Sequence, residues 1–318
     1  MKRIKAFLII LLLGMVAVLY NVLWRIDASL VPIPLSVVPE MGKDFPQERP
    51  LLALVYYAAG EEVFFRNQNA LVFSAAKIGF DRIYNFRQGQ LEKEWVQKNQ
   101  LILQQPRGAG YWLWKPYCIL KVMRELPDHS IIFYADSGVV FTTRSIVPLI
   151  DHMKMHNMIL IGHGKPVALQ QHLKKEAYAA FDFPLTQDIL EHQNIWAFFM
   201  VIKNTPYTRE FIEKWLRVCE NASALTDFPL DRGQQIPIFQ SHLHDQSLLS
   251  VLVAKEPQGK LIIRKNILRI KYGVHNFHRH PDQKWTSPLL IMAGFPEWFS
   301  NFIWNNGFNT QLRKLLFR

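Results

Sequence analysis

Three short stretches bring together residue types that can handle a phosphorylated ligand. Residues 110–118, GYWLWKPYC, set Tyr111, Trp112 and Trp114 around one cation, Lys115, just ahead of a proline. Residues 131–138, IIFYADSG, run from an apolar strand through Tyr134 into Asp136-Ser137-Gly138. Residues 242–250, HLHDQSLLS, put Asp245 and Gln246 at the head of an apolar helix. A carboxylate at the C-terminal tip of a buried strand sits where α/β sheets bind ligands. Asp136 there can hold Mg or Mn, hard cations that prefer oxygen ligands and keep waters, against a diphosphate. Lys115, near a helix N-terminus, can pair with a phosphate. Trp114 and its aromatic neighbours can stack on a base or a sugar. Asp245 can contact a sugar or act as a general base. Each feature also has a plain structural reading: a turn-opening Asp136, an aromatic core around Trp112, and an N-cap at Asp245.

A fourth stretch, HNFHRHPDQKW at 275–285, contains three histidines. His275 and His278 would share a helical face, or His278 and His280 a strand face, and either pair can supply metal ligands. The spacing is not that of an HExxH zinc hydrolase. Lys284 and the Lys174-Lys175 pair, Lys175 above all, are further cations that could meet a diphosphate.

These residues need elements to hold them. LLALVYYA (51–58) is a continuous apolar run that suits a buried parallel strand. Residues 64–78 carry apolar positions at helical spacing, and Gly79 is placed to end that helix. Strands are predicted at 81–86, 131–135, 158–162 and 195–203. Helices are predicted from Pro116 through Met123 and over 145–156, 172–181, 186–192, 206–220 and 246–256, with 90–102 a polar helix or loop. Alternating strand and helix predicts α/β with a mostly parallel sheet flanked by helices.

The chain has 318 residues, of which 49% are hydrophobic and 20% charged, so a sizeable core is expected. Its net charge of +11 favours phosphate-bearing partners. No zinc-finger spacing, RNP-type motif or long basic block points to nucleic acid. Two cysteines, Cys118 and Cys219, are too few for a disulfide scaffold; buried thiols are expected, with one bridge possible in an oxidising lumen. Residues 6–24 contain no charged residue, follow Lys2, Arg3 and Lys5, and as a helix would span roughly 28 Å. The alternative is a cleaved signal peptide; the apolar run is long for one and no clear A-x-A site follows it, so the expectation is an uncleaved signal anchor within residues 1–27, with a cytosolic N-terminus. A proline-bearing stem follows at 28–50, then one domain at 51–318. Asn221-Ala222-Ser223 is a glycosylation sequon usable only in a eukaryotic lumen.

Taken in order, FSAAKIGFD (73–81), GYWLWKPYCIL (110–120), IIFYADSG (131–138), FIEKWLRVCENASALTD (211–227) and HLHDQSLLSVL (242–252) resemble nucleotide-diphospho-sugar glycosyltransferase-like proteins of the GT-A fold. The resemblance covers roughly residues 50–255. It implies a Rossmann-like catalytic domain, a nucleotide-sugar donor, a glycan, protein or lipid acceptor, and a divalent cation, Mn or Mg, at a DXD-type motif. Here that motif reads Asp136-Ser137-Gly138, without the second acidic residue, so a histidine such as His275 or His278 would have to complete the metal site. Asp245-Gln246 resembles the Asp-Gln pair that faces the acceptor side of the sugar. The anchor and its positive-inside bias imply a type II membrane protein with the domain in a lumen or periplasm; since nucleotide sugars are supplied to the Golgi lumen, the Golgi or secretory lumen is expected if the source is eukaryotic, and a membrane-anchored protein otherwise. A non-catalytic binding protein of the same fold is the other reading.

Overall fold

The computed structural model describes residues 49–76, 78–142, 146–163, 169–256 and 259–276. The anticipated anchor and nearly all of the stem lie outside them, as do His278, His280 and Lys284. Among the described residues no helix is long and apolar enough to cross a membrane.

Six strands form the central sheet in the order β2-β1-β3-β6-β5-β7. They are β1 Leu52–Tyr57, β2 Arg82–Phe86, β3 Ile131–Ala135, β5 Met158–Gly162, β6 Ile195–Lys203 and β7 Lys260–Arg264. β1 pairs in parallel with β2 and β3, and β5 with β7. β6 runs antiparallel to both its neighbours, β3 and β5. The mixed α/β fold with a mostly parallel sheet agrees with the alternation in the sequence; the reversal of β6 does not follow from it. A strand buried on both faces is apolar throughout whichever way it runs, so IWAFFMVIK carries no direction.

The apolar run of β1 is explained by layers on both faces of the sheet. Ala53, Val55 and Tyr57 enter one core, and Leu52, Leu54 and Tyr56 the other. The first core is roofed by α2 (Trp114–Glu125), α4 (Pro206–Cys219) and α5 (Asp245–Lys255). The second lies under α1 (Glu62–Ala75), α3 (Val147–His152) and α6 (Lys265–Tyr272). A small ribbon, β4 (Val139–Phe141) paired antiparallel with β8 (Val274–Asn276), leaves the end of β3. β4, β7, β8 and α6 were not anticipated. The helix expected over 172–181 is a 3-10 segment, Lys175–Ala180. Both cysteines are buried and free, so no bridge joins them, and burial pushes both thiols well above their ordinary range.

Candidate active site

The period of two along β3 decides which way its tip points. Ile132 and Tyr134 enter the core beneath α2 and α5, and Asp136 is the next residue on that side. Its backbone N–H donates to Phe198 O at 2.8 Å, which fixes the strand end against β6. The Tyr134 hydroxyl donates to Asp136 Oδ1 at 2.6 Å. Burial, and then the Asp136 charge, push that phenol well above its ordinary range, so it remains a proton donor.

Lys115 enters from the first turn of α2 and is buried. Its ammonium donates to Ala197 O at 3.0 Å and lies 3.4 Å from Asp136 Oδ1 and 3.0 Å from Asp245 Oδ2. One buried cation therefore bridges two carboxylates from β3 and α5. Burial alone would lower the Lys115 pKa, but Asp136 and Asp245 reverse this and hold it above the usual lysine range. Burial pushes Asp245 up to about 6 against the opposing pull of Lys115. α5 itself is locked in place: Trp215 Nε1 donates to Asp245 O at 3.0 Å, and Ile195 N donates to Ser250 Oγ at 2.8 Å.

These groups line a cleft of about 660 Å³. Its floor lies at the carboxyl ends of β1 and β3, with Ala58–Glu61 after β1 and Asp136-Ser137 after β3. The walls are completed by Phe64 and Asn67 of the helix Glu62–Ala75, the start of β6, the heads of α2 and α5, and the segment before α2. Three buried polar atoms of the lining have little or nothing to bond: Gln246 Nε2 has no hydrogen-bond partner, His244 Nε2 lies 3.7 Å from Asp227 Oδ1, and Asp245 Oδ2 has only the Lys115 ammonium, at 3.0 Å. A buried donor left unsatisfied at a cleft, as Gln246 Nε2 is, is unusual, because buried polar atoms nearly always find partners.

The segment before α2 has an unusual backbone. Gly108, Ala109, Gly110, Tyr111 and Trp112 all have positive φ, from +49° to +97°. Five successive left-handed residues include three that are not glycine, each strained by about 1–2 kcal/mol. The turn is held by distant partners. The Tyr111 hydroxyl and Arg107 Nη1 each donate to Asp227 Oδ2 at 3.0 Å. Trp112 stacks on His244, centroids 5.6 Å apart, and Trp114 stacks on Tyr57 at 4.0 Å while its Nε1 donates to Gly108 O at 3.0 Å. His244 is itself left-handed, at φ +54°. A Cβ on Gly110 would fall 2.7 Å from Leu103 Cα. Gly110→Ala is therefore expected to destabilise the protein by about 1–3 kcal/mol, whereas Ala109→Gly is expected to be neutral or stabilising. Urea denaturation of the two variants checks this difference in sign.

Trp114, Lys115, Asp136, Ser137, Asp245 and Gln246 all line the cleft. Tyr134 lies behind Asp136, fully buried, and orients it rather than facing a ligand. Gly138 is buried within the turn whose closing bond runs from Val139 N to Asp136 O, and it is not part of the lining. Lys175 is exposed and does not line the cleft either; the buried member of that pair is Lys174, which donates to Thr226 O at 2.6 Å and Pro229 O at 3.0 Å. Lys174 thereby holds the loop that carries Asp227. His275 sits in β8 opposite Val140, half-buried and outside the cleft lining. His242 and His244 pack ring to ring at 5.2 Å, and burial lowers them to about 3 and about 4, so both are neutral. A turn is expected from the sequence at Pro106–Gly110, but its left-handed backbone and the parts played by Tyr57, Arg107 and Asp227 do not follow from it; the glycines of GAGY at 108–111 were the available signal.

Among the described residues no three histidines, cysteines or carboxylates gather where they could hold a metal ion. Asp136 Oδ1 is already engaged by a phenol and an ammonium, and a dication beside Lys115 would meet a like charge. The described donor set therefore does not fit a divalent cation.

No protein-family model matches the chain, and no curated protein matches it. Among solved structures, it is similar to a glycosyltransferase involved in glycosylation of the major capsid of PBCV-1, with 11% identity, coverage of 68% of this chain and 82% of that one, and a TM-score of 0.41. Mouse xyloside xylosyltransferase 1 gives 11% identity, coverage of 67% and 84%, and a TM-score of 0.38. The galactosyltransferase LgtC, in complex with donor and acceptor sugar analogs, gives 12% identity, coverage of 78% and 98%, and a TM-score of 0.39.

Proposed function

We propose that the cleft binds a nucleotide-diphospho-sugar and transfers its glycosyl group to an acceptor hydroxyl. The observation that carries this reading is the Lys115-bridged pair Asp136 and Asp245, with Gln246 Nε2 unsatisfied at the cleft wall beside them. A reaction that breaks one C–O bond and makes another needs a base for the incoming hydroxyl and fixed charge around a cationic carbon. Asp245 supplies the base. Its carboxylate takes the acceptor proton as the new C1–O bond forms, and the C1–O bond to the diphosphate breaks to release nucleoside diphosphate. Gln246 Nε2 donates to a sugar hydroxyl. Lys115 holds both carboxylates in place and opposes the upward push of burial on Asp245, and Tyr134 fixes Asp136. Tyr57, Trp112 and Trp114 offer apolar walls to base and sugar. No step passes through a metal ion.

The test is a screen of UDP- and GDP-sugars for nucleotide release by the full-length chain in detergent, with and without Mn. Release from one donor, lost in Asp245→Asn, supports transfer. Tight donor binding without release supports instead a binding protein of this fold, the reading favoured by the single acidic residue of Asp136-Ser137-Gly138. Absence of both overturns the donor assignment.

The pH dependence follows from Asp245. With a pKa of about 6 in the folded protein, it gains a proton as pH falls through that value. The rate is expected to be level above about pH 7 and to fall roughly tenfold per unit below about pH 6. In Asp245→Asn the remaining activity should lose this acid limb.

A further inference from the structure

The layer opposite the cleft roof carries a surface that the reaction does not use. Residues 260–272, KLIIRKNILRIKY, span β7 and α6 and contain five basic residues and no acidic one. Leu268 and Tyr272 are buried and attach α6 to the sheet. Its other face exposes Ile267 and Ile270, the latter 73% accessible. Residues three and four apart on a helix are neighbours, so Ile267 is flanked by Arg264, Ile270 and Lys271, all exposed. α3 adjoins this face through a hydrogen bond between His152 Nε2 and the Tyr272 hydroxyl at 2.8 Å. Three residues beyond His152, Met155 is 82% accessible. Lys154 beside it pairs with Asp151.

We propose that this face, centred on α6, rests on an anionic bilayer surface. Apolar side chains interleaved with cations on one helical face match the headgroup boundary: the isoleucines enter the acyl region and the cations meet lipid phosphates. A nucleic-acid surface would use the cations and leave the isoleucines in water. The uncharged stretch at 6–24 ends about 24 residues before Arg49, where the described chain begins. That many residues reach at most about 80 Å, ample for a tethered domain to lay this face on the membrane. The inference does not depend on the chemistry of the cleft.

The test uses the full-length chain with Ile270→Cys, labelled with an environment-sensitive fluorophore. Cys118 and Cys219 are both 0% accessible, so the label is directed to position 270. The protein is reconstituted in phosphatidylcholine vesicles with or without phosphatidylglycerol. Expected is blue-shifted emission, quenched by brominated acyl chains, only where phosphatidylglycerol is present. Arg264→Gln and Lys271→Gln should each weaken this contact by about fivefold, and high salt should weaken it further. A label at Leu101→Cys, exposed beside Ile102 of the opposite core, should remain in water. An unquenched label at 270 in both vesicle types, equal quenching at 270 and 101, or a shift produced only by added RNA would each overturn the proposal.

Discussion

Asp245→Asn is expected to lower nucleotide release by about 10²–10⁴-fold, the usual worth of a positioned acid–base group, and to leave the melting temperature nearly unchanged. The two results are needed together. The amide has the shape of the carboxylate and its carbonyl oxygen can still accept from the Lys115 ammonium, now 3.0 Å from Asp245 Oδ2. It also removes a buried charge, whose desolvation is the main cause of the raised Asp245 pKa. What it cannot do is take a proton from an acceptor hydroxyl. Circular-dichroism melts beside single-turnover release under saturating donor separate the two effects. A variant that folds normally and keeps its rate would remove Asp245 from the chemistry.

Lys115→Met has the largest expected effect on folding. Removing one partner of a buried ion pair leaves the other uncompensated, at about 3–5 kcal/mol, and here two carboxylates lose the same counter-ion. The loss should depend on pH with a definite sign. Without Lys115 the main influence lowering the Asp245 pKa disappears, so the folded value rises further above about 6 while the unfolded value stays ordinary. The folded variant then binds more protons than the unfolded chain, and its stability falls as pH rises through that range. The deficit relative to the parent should be smallest near pH 5 and largest near pH 8. Urea melts at both values check this; a pH-independent deficit would mean that Lys115 acts through packing alone.

The parts of the site legible in the sequence were those fixed by local periodicity. IIFYAD places Asp136 at the tip of a buried strand, and DQSLLSVL places Asp245 at the start of a buried helix, because burial imposes a repeat on neighbouring residues. Lys115 stood out as the one cation among Tyr111, Trp112 and Trp114, placed just ahead of Pro116 at a helix N-terminus. The rest depended on contacts between residues far apart in the chain. Lys174 and Lys175 differ by one position, and which of them turns inward is set by the phase of a 3-10 segment against a loop that begins some fifty residues later. The direction of β6 is set by its neighbours. Asp227 gains meaning only once Arg107 and Tyr111 have folded back to it.

That last contact has a consequence for the chain during synthesis. Translation is vectorial: Asp227 and His244 emerge more than a hundred residues after the left-handed turn they hold, and Asp245 as long after the Lys115 it pairs with. Until then the turn has no partner to offset its strain, and Lys115 can reach Asp136 alone. β1, β2 and β3 can pair in the meantime, since their register needs nothing beyond Ala135. A ribosome-bound intermediate of this protein is therefore a sheet without a binding site, and the cleft takes shape only after the head of α5 has left the exit tunnel.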